Sequence, residues 1–294
     1  MIKLIASDMD GTLLNDKMEV SNRNLQAIKD AQESGIEFLI ATGRGIGEAK
    51  PFLRGKVTPG YITLNGAEVF DNKENLVSSN PISIDSKIKI VNILRTHNIY
   101  FELITNKGIF SENLDLRISS LADLLLKLNP GTTREDALKQ TKEKIKGVPM
   151  TYVDSFEEIL ADSSYDIMKM IAYDPGEAKV LGPVMDKINN LSDVVVTSSA
   201  PNDIEINSVD AQKGMALLEY AEKRGIKQTE TMAIGDNLND ASMIKSAGIG
   251  VAMKNAIPTI TDMADEYTDT NVNDGVAQAI EKVIADNKKN IGQI

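Results

Sequence analysis

The first eighty residues alternate short apolar runs with polar turns. Ile2–Ser7, apolar except for Lys3, predicts a buried strand that ends in the acidic, glycine-containing turn Asp8–Gly11. Residues 22 to 34 carry Leu25, Ile28 and Ala31 three apart, the spacing of one helical stripe, and Gly35 ends that helix. A second apolar run, Ile36–Ala41, closes on Thr42-Gly43-Arg44. Tyr61–Leu64 leads into the turn signal Asn65-Gly66, and Glu68–Phe70 resumes extended character. Strand, helix, strand and polar loop in succession predict a parallel sheet with covering helices.

The same rhythm returns near the other end. Met215–Arg224 reads as a helix, and Thr231–Ile234 as a strand closing on Gly235-Asp236. Ala241–Ala247 is the next helix, Ile249–Ala252 the next strand, and Val276–Ala285 a final helix, with Asp286–Ile294 expected to fray. Between these halves the texture changes. Helical patterns at Ile84–Thr96, Leu121–Leu128 and Gly176–Asn189 mix with strands at Tyr100–Ile104, Gly108–Ser111, Ile167–Ala172, Val194–Ser198 and Ile204–Asn207. The expected architecture is therefore α/β: a Rossmann-like parallel-sheet core with helices on both faces, built from residues 1–82 and 207–294. An α+β unit, residues 83–206, is inserted into it.

Composition narrows the chemistry. The chain has no cysteine, which removes disulfides, thiolate metal sites and a cysteine nucleophile. Its one histidine, His97, stands at a predicted helix end and reads as a surface or capping residue; a multi-histidine metal centre is excluded. With 43 acidic and 32 basic residues the net charge is −11, which repels phosphate backbones and argues against a nucleic-acid partner. Thr42–Gly47 matches neither a dinucleotide loop nor a Walker loop. The sequence carries no leader pattern and no apolar stretch near 18 residues, so a cytoplasmic address without a membrane partner is expected. No sequence feature specifies an oligomeric state.

Four short motifs carry chemistry. Asp8-Met9-Asp10-Gly11-Thr12 falls at the carboxyl end of the first strand, where ligands bind in open parallel sheets. A carboxylate there suits nucleophilic attack on phosphorus, and Gly11 lets the backbone come close to an anion. Gly235-Asp236-Asn237-Leu238-Asn239-Asp240 follows another strand, and its carboxylates suit a hard cation, by default Mg²⁺. Thr42-Gly43-Arg44 offers a hydroxyl, a backbone N–H and a guanidinium fork to a phosphoryl group or a substrate. Four carboxylates around a phosphate also need a fixed cation, which Lys213 at a helix start can supply. Taken singly, each motif has a plainer reading as a strand-ending turn, an N-cap or a solvated lysine; their combination carries the argument.

The order DMDGTLL, TGR, KG, GDNLND resembles the haloacid-dehalogenase-like phosphohydrolases, in the Cof-type branch with a large α+β cap between the second and third motifs. Gly250–Ala256, Asn65-Gly66-Ala67 and Asn273–Ala277 support the resemblance, which spans essentially the whole chain. It implies that Asp8 is the nucleophile and a Mg²⁺ ligand, and that Asp10 is the general acid and then base, with its backbone carbonyl on the metal. It further implies that Thr42 and Lys213 hold the phosphoryl group, that Asp236 completes the protein's metal carboxylates, and that Asp240 orients Lys213 or metal-bound water. Asn239 would make a further polar contact, and the cap would cover the site. Candidates for gripping the leaving group are Arg44, Lys169, Arg117 and an Asn202–Glu205 loop. The expected activity is Mg²⁺-dependent hydrolysis of small phosphate esters, sugar phosphates or a phosphorylated cofactor. A phosphotransferase or mutase on the same intermediate, and a non-catalytic phospholigand binder, are the competing readings.

Overall fold

A computed structural model describes residues 1–53, 55–145, 149–198 and 202–291. The chain divides into two compact units, Met1–Asn80 with Asp210–Ile294, and Pro81–Val209. The first unit opens with β1 (Leu4–Asp8), α1 (Asn22–Glu33), β2 (Glu37–Ala41), the single turn α2 (Ile46–Ala49), β3 (Gly60–Thr63), β4 (Glu68–Phe70) and β5 (Leu76–Ser79). The second contains α3 (Ile84–Thr96), β6 (Tyr100–Thr105), β7 (Gly108–Ser111), α4 (Leu114–Leu128), α5 (Arg134–Lys144), β8 (Met150–Tyr152) and α6 (Glu157–Ala161). It ends with β9 (Ile167–Tyr173), α7 (Ala178–Asn189), β10 (Val194–Thr197) and β11 (Asp203–Ser208). The chain then returns to the first unit through α8 (Lys213–Lys223), β12 (Thr231–Gly235), α9 (Ala241–Ser246), β13 (Ile249–Met253), α10 (Pro258–Met263), β14 (Glu266–Thr268) and α11 (Gly275–Ile291).

The first unit's sheet has the order β14-β13-β12-β1-β2-β3-β4-β5, parallel through β3 and antiparallel at β4 and β5. Side chains alternate between its faces, as the period of two demands. Ile5, Phe38, Ile40, Met232 and Val251 pack with Leu25 and Ile28 of α1 and Val276 and Ile280 of α11. Leu4, Ala6, Leu39, Ala233 and Ala252 pack with Leu217 and Tyr220 of α8 and Ile244 of α9. Both faces are covered, which explains why these strands read as continuous apolar runs. The register pairs Ser7 with Ile234 and Asp8 with Ala41, so the loops after β1, β2 and β12 leave the sheet side by side.

The inserted unit is built on a six-stranded sheet, β10-β11-β9-β6-β7-β8, antiparallel except for β7 with β8. Phe101, Leu103, Met170, Ala172, Ile204 and Ile206 from its strands pack with Ile90 and Leu94 of α3 and with Leu181 and Val184 of α7.

Three local expectations change. The segment from Asp286 to Ile291 continues α11 instead of fraying, because Asn287 accepts the Ile2 N–H at 3.0 Å and donates to the Ile2 carbonyl at 2.7 Å. The leucine-rich helix starts at Leu114, about two turns early, where the Asn113 side chain caps it by accepting from Leu116 N–H at 2.9 Å. Most of the loop expected at Asn202–Glu205 is strand β11.

Candidate active site

Strand β1 ends on Asp8, whose residue is 4% exposed, and the chain then makes a wide turn closed by Leu14 N–H donating to the Met9 carbonyl at 2.8 Å. Gly11 sits in this turn at φ +81°, a conformation that costs other residues about 1–2 kcal/mol. A Cβ here would stand 2.5 Å from Asp236 Oδ2, so glycine is needed twice over. The next residue, Thr12, donates its hydroxyl to Asp236 Oδ1 at 2.6 Å and ties the loop after β1 to the loop after β12.

Lys213, the first residue of α8, is fully buried. Its Nζ donates to Asp8 Oδ1 at 2.6 Å and to Asp240 Oδ1 at 2.7 Å. The second oxygen of Asp240 accepts from the backbone N–H groups of Asp236 at 2.9 Å and Asn237 at 3.0 Å. Asp240 therefore takes three donors on its two oxygens, and Asp8 and Asp236 keep more lone pairs to spare. Helices α8 and α9 meet at Gly214, whose N–H donates to Ser242 Oγ at 3.0 Å and whose missing side chain leaves room for the Ser242 carbonyl. This close approach brings Lys213 within reach of Asp240.

The charges in this cluster do not cancel. Burial pushes the Asp8 carboxyl well above its usual range, the Asp240 and Asp236 charges push it further, and Lys213 opposes them. Burial likewise raises Asp236, to about 6, with Asp240 adding to the shift and the Thr12 hydroxyl and Lys213 resisting it. For Lys213, burial alone lowers the pKa, but the fields and hydrogen bonds of Asp240 and Asp8 outweigh it and the ammonium is held more firmly than usual. Asp8, Asp236 and Asp240 each offer an oxygen, and these oxygens lie within 4.8 Å of one another. An all-carboxylate donor set short of positive charge fits a hard divalent cation such as Mg²⁺.

The remaining predicted residues surround this cluster or lie apart from it. Thr42 is fully buried after β2, and its hydroxyl oxygen accepts the Arg44 N–H at 3.1 Å. Arg44, expected to face a substrate, instead places its fork on Asp10, with Nε to Oδ2 at 2.8 Å and Nη2 to Oδ1 at 2.6 Å, and lies over the Phe52 ring. Asp10 thus stands outside the buried carboxylate group. Asn239 donates to Asn65 Oδ1 at 3.4 Å, and the same oxygen lies 3.1 Å from where a Gly43 side chain would begin. Lys169 belongs to the inserted unit, where it is buried against Glu205 at 2.6 Å. Arg117, also buried there, lies 3.6 Å from Glu102 and contacts the Met150 sulfur. Sequence reasoning did not single out Thr12 or Asn65 as site residues. A hydroxyl directly after the loop glycine and an Asn-Gly pair were the available signals; in the structure Asn65 sits at φ +62°.

Comparison with known proteins agrees with this geometry. The family model of haloacid dehalogenase-like hydrolases matches residues 5–280. The chain is 32% identical over 284 residues to the 5-amino-6-(5-phospho-D-ribitylamino)uracil phosphatase YcsE of Bacillus subtilis, covering 95% of this chain and 94% of that protein. It is 33% identical to the phosphatase YwpJ of the same organism, covering 96% of this chain and all of the other. The solved structure of a haloacid dehalogenase-like hydrolase from B. subtilis superposes with a TM-score of 0.82 at 31% identity, over 95% of this chain and 99% of that one. Among the described residues no helix is long and apolar enough to cross a membrane. The chain belongs to the haloacid dehalogenase-like hydrolases, in their Cof-like branch, and is a phosphatase of that family whose carboxylate cluster is consistent with a divalent ion of the Mg²⁺ type.

Proposed function

We propose that the enzyme hydrolyses small phosphomonoesters through an aspartyl-phosphate formed on Asp8. An Asp8 oxygen attacks phosphorus, and the bond from phosphorus to the ester oxygen breaks. Asp10 gives its proton to that leaving oxygen, then accepts one from the water that attacks the phosphorus of the aspartyl-phosphate. Inorganic phosphate leaves and the Asp8 carboxylate is restored. Before it can move a proton, Asp10 must free one oxygen from the Arg44 fork, which holds both in the resting pose.

Lys213, the Thr42 hydroxyl, the Gly43 N–H and Asn239 hold the phosphoryl oxygens, and Asp240 keeps Lys213 aimed at Asp8. Asp8, Asp236 and the Asp10 carbonyl would hold Mg²⁺. When bound, the ion offsets the charge of carboxylates and phosphoryl oxygens as they approach. The observation that carries this reading is the buried ammonium of Lys213 shared by Asp8 and Asp240, with Asp236 in the same group of oxygens. Such a site lacks positive charge and would receive an anion only together with a cation.

For the substrate we propose a metabolite phosphorylated on a polyol or sugar chain, the class to which the named substrate of the B. subtilis relative belongs. The test is phosphate release from a panel of sugar, polyol and cofactor phosphates with Mg²⁺, with EDTA, and with Asp8→Asn. Release should require Mg²⁺ and fall by about 10⁴-fold or more in the variant, the scale of losing a covalent nucleophile. Near wild-type turnover by Asp8→Asn would remove Asp8 from this role, and preference for a non-polyol ester would remove the substrate class alone.

A further inference from the structure

Three asparagines from separate elements hold carbonyls of the turn that follows Asp8. Asn24, buried in α1, donates to the Leu13 carbonyl at 3.4 Å and accepts the Ala277 N–H at 2.9 Å. Asn271, after β14, donates to the Leu14 carbonyl at 2.9 Å. Asn255, in the turn after β13, donates Nδ2 to the Gly11 carbonyl at 2.8 Å, and its Oδ1 accepts the Asn271 N–H at 3.1 Å. None of the three enters the proposed chemistry, although Asn255 stands inside the Gly250–Ala256 run noted in the sequence.

We propose that Asn255 is a positioning residue for Asp10, acting through the Gly11 carbonyl. Asp10 stands between two backbone neighbours of opposite character. Met9 is fully buried and fixes the chain on one side. Gly11, on the other side, is at φ +81° and has no side chain to restrain it, so rotation about its ψ is the soft point of the turn. The carbonyl of Gly11 reports that rotation directly, and Asn255 holds it. A carboxamide is the group that can do this, because one end must donate to a carbonyl while the other accepts an N–H. Thr12, one residue on, is pinned through Asp236. With both anchors present, the peptide on the C-terminal side of Asp10 has one pose; without Asn255, Gly11 regains its freedom and Asp10 loses its aim.

The inference rests on the reading of Asp10 as the acid and base, so the test separates the two. The measured quantity is kcat/KM, which reports phosphorylation of Asp8, for ribose 5-phosphate and for p-nitrophenyl phosphate. The sugar alkoxide needs a proton to leave, whereas nitrophenolate leaves nearly unaided. In Asn255→Ala the sugar phosphate should lose about 10-fold or more while the nitrophenyl ester loses less than about 3-fold, the mark of misdirected acid catalysis. Asp10→Asn should show the same selectivity more strongly, and adding Asn255→Ala to it should cost nothing further. Equal losses on both esters in Asn255→Ala, alongside a selective Asp10→Asn, would overturn the brace and leave the acid in place. An unselective Asp10→Asn would overturn the acid assignment and the brace with it. Asn255 is exposed, so the variant should fold normally, and circular dichroism checks that it does.

Discussion

Each of the two units buries lysine or arginine against carboxylates, and the two do so differently. In the inserted unit Lys169 meets Glu205 at 2.6 Å, and Arg117 lies 3.6 Å from Glu102. In the first unit, among the described residues, Lys213 alone is ion-paired with Asp8 and Asp240, with Asp236 beside them. A buried base and acid in contact offset part of each other's desolvation. Three carboxylates around one ammonium leave a deficit of positive charge, and burial then raises the pKa of Asp8 and Asp236. A shortage of positive charge among close carboxylate oxygens, more than burial of charge as such, marks a place for a cation.

The largest expected effect comes from removing the one cation of the unbalanced cluster. Lys213→Met leaves the buried carboxylates of Asp8 and Asp240 and the half-buried one of Asp236 facing one another, and breaking a buried pair this way costs about 3–5 kcal/mol. Thermal or urea unfolding of the metal-free protein measures it. Asp240→Asn added to Lys213→Met should recover part of that loss and no turnover, because Asp8 and Asp236 still repel. A change below about 1 kcal/mol in Lys213→Met would mean that the cluster behaves like an exposed pair, and the contrast between the units would fail.

Next in size is the response to pH and magnesium. The folded-state pKa of Asp236 is raised by burial to about 6, whereas the unfolded chain titrates near the ordinary aspartate value of about 3.9. Between these values the folded protein holds a proton that the unfolded chain has released. The stability of the metal-free protein is therefore expected to fall as pH rises through this window, and to improve on acidification towards it. The slope should be weaker in Asp236→Asn, which isolates this group from the rest of the chain's charge. Bound Mg²⁺ favours the ionised carboxylate, so its apparent affinity should weaken as pH falls through about 6. At 100 times its dissociation constant the ion adds about 2.7 kcal/mol to folding. Calorimetric titration at pH 5 and 8 checks the direction; equal affinity at both would remove Asp236 from the site.

What could be read from the chain itself follows the range of the interactions. Ile5, Phe38, Met232 and Val251 mark the strands because alternation and run length are local properties, and the loops at the strand ends follow from the parallel rhythm. Asp8 and Asp236 could be grouped because loops after parallel strands leave the sheet at one edge, and Lys213 joined them because carboxylates around a phosphate need a fixed cation. The Arg44 fork on Asp10 could not be foreseen, since it depends on where two loops settle after leaving neighbouring strands. Helix α5 escaped because of its polarity: among its residues Ala137 and Thr141 are buried, too few to make an apolar stripe. The last turns of α11 escaped because what orders them is Ile2, at the far end of the chain.

The smallest expected net effect is that of a double variant in the inserted unit. Lys169→Met leaves Glu205 with its charge against a buried sheet face, and should cost about 3 kcal/mol, the lower end for a broken buried pair. Lys169→Met combined with Glu205→Gln removes both charges and should return to within about 1 kcal/mol of the parent, since buried ion pairs often give way to neutral groups without loss. The double-mutant cycle therefore has a large coupling energy and a small net effect. The corresponding cycle on Lys213 and Asp240 has no such return, because a third and a fourth group share the charge. If the Lys169–Glu205 double variant were as unstable as Lys169→Met alone, the pair would be part of a wider unbalanced network, and the inserted unit would itself hold a site in want of a ligand.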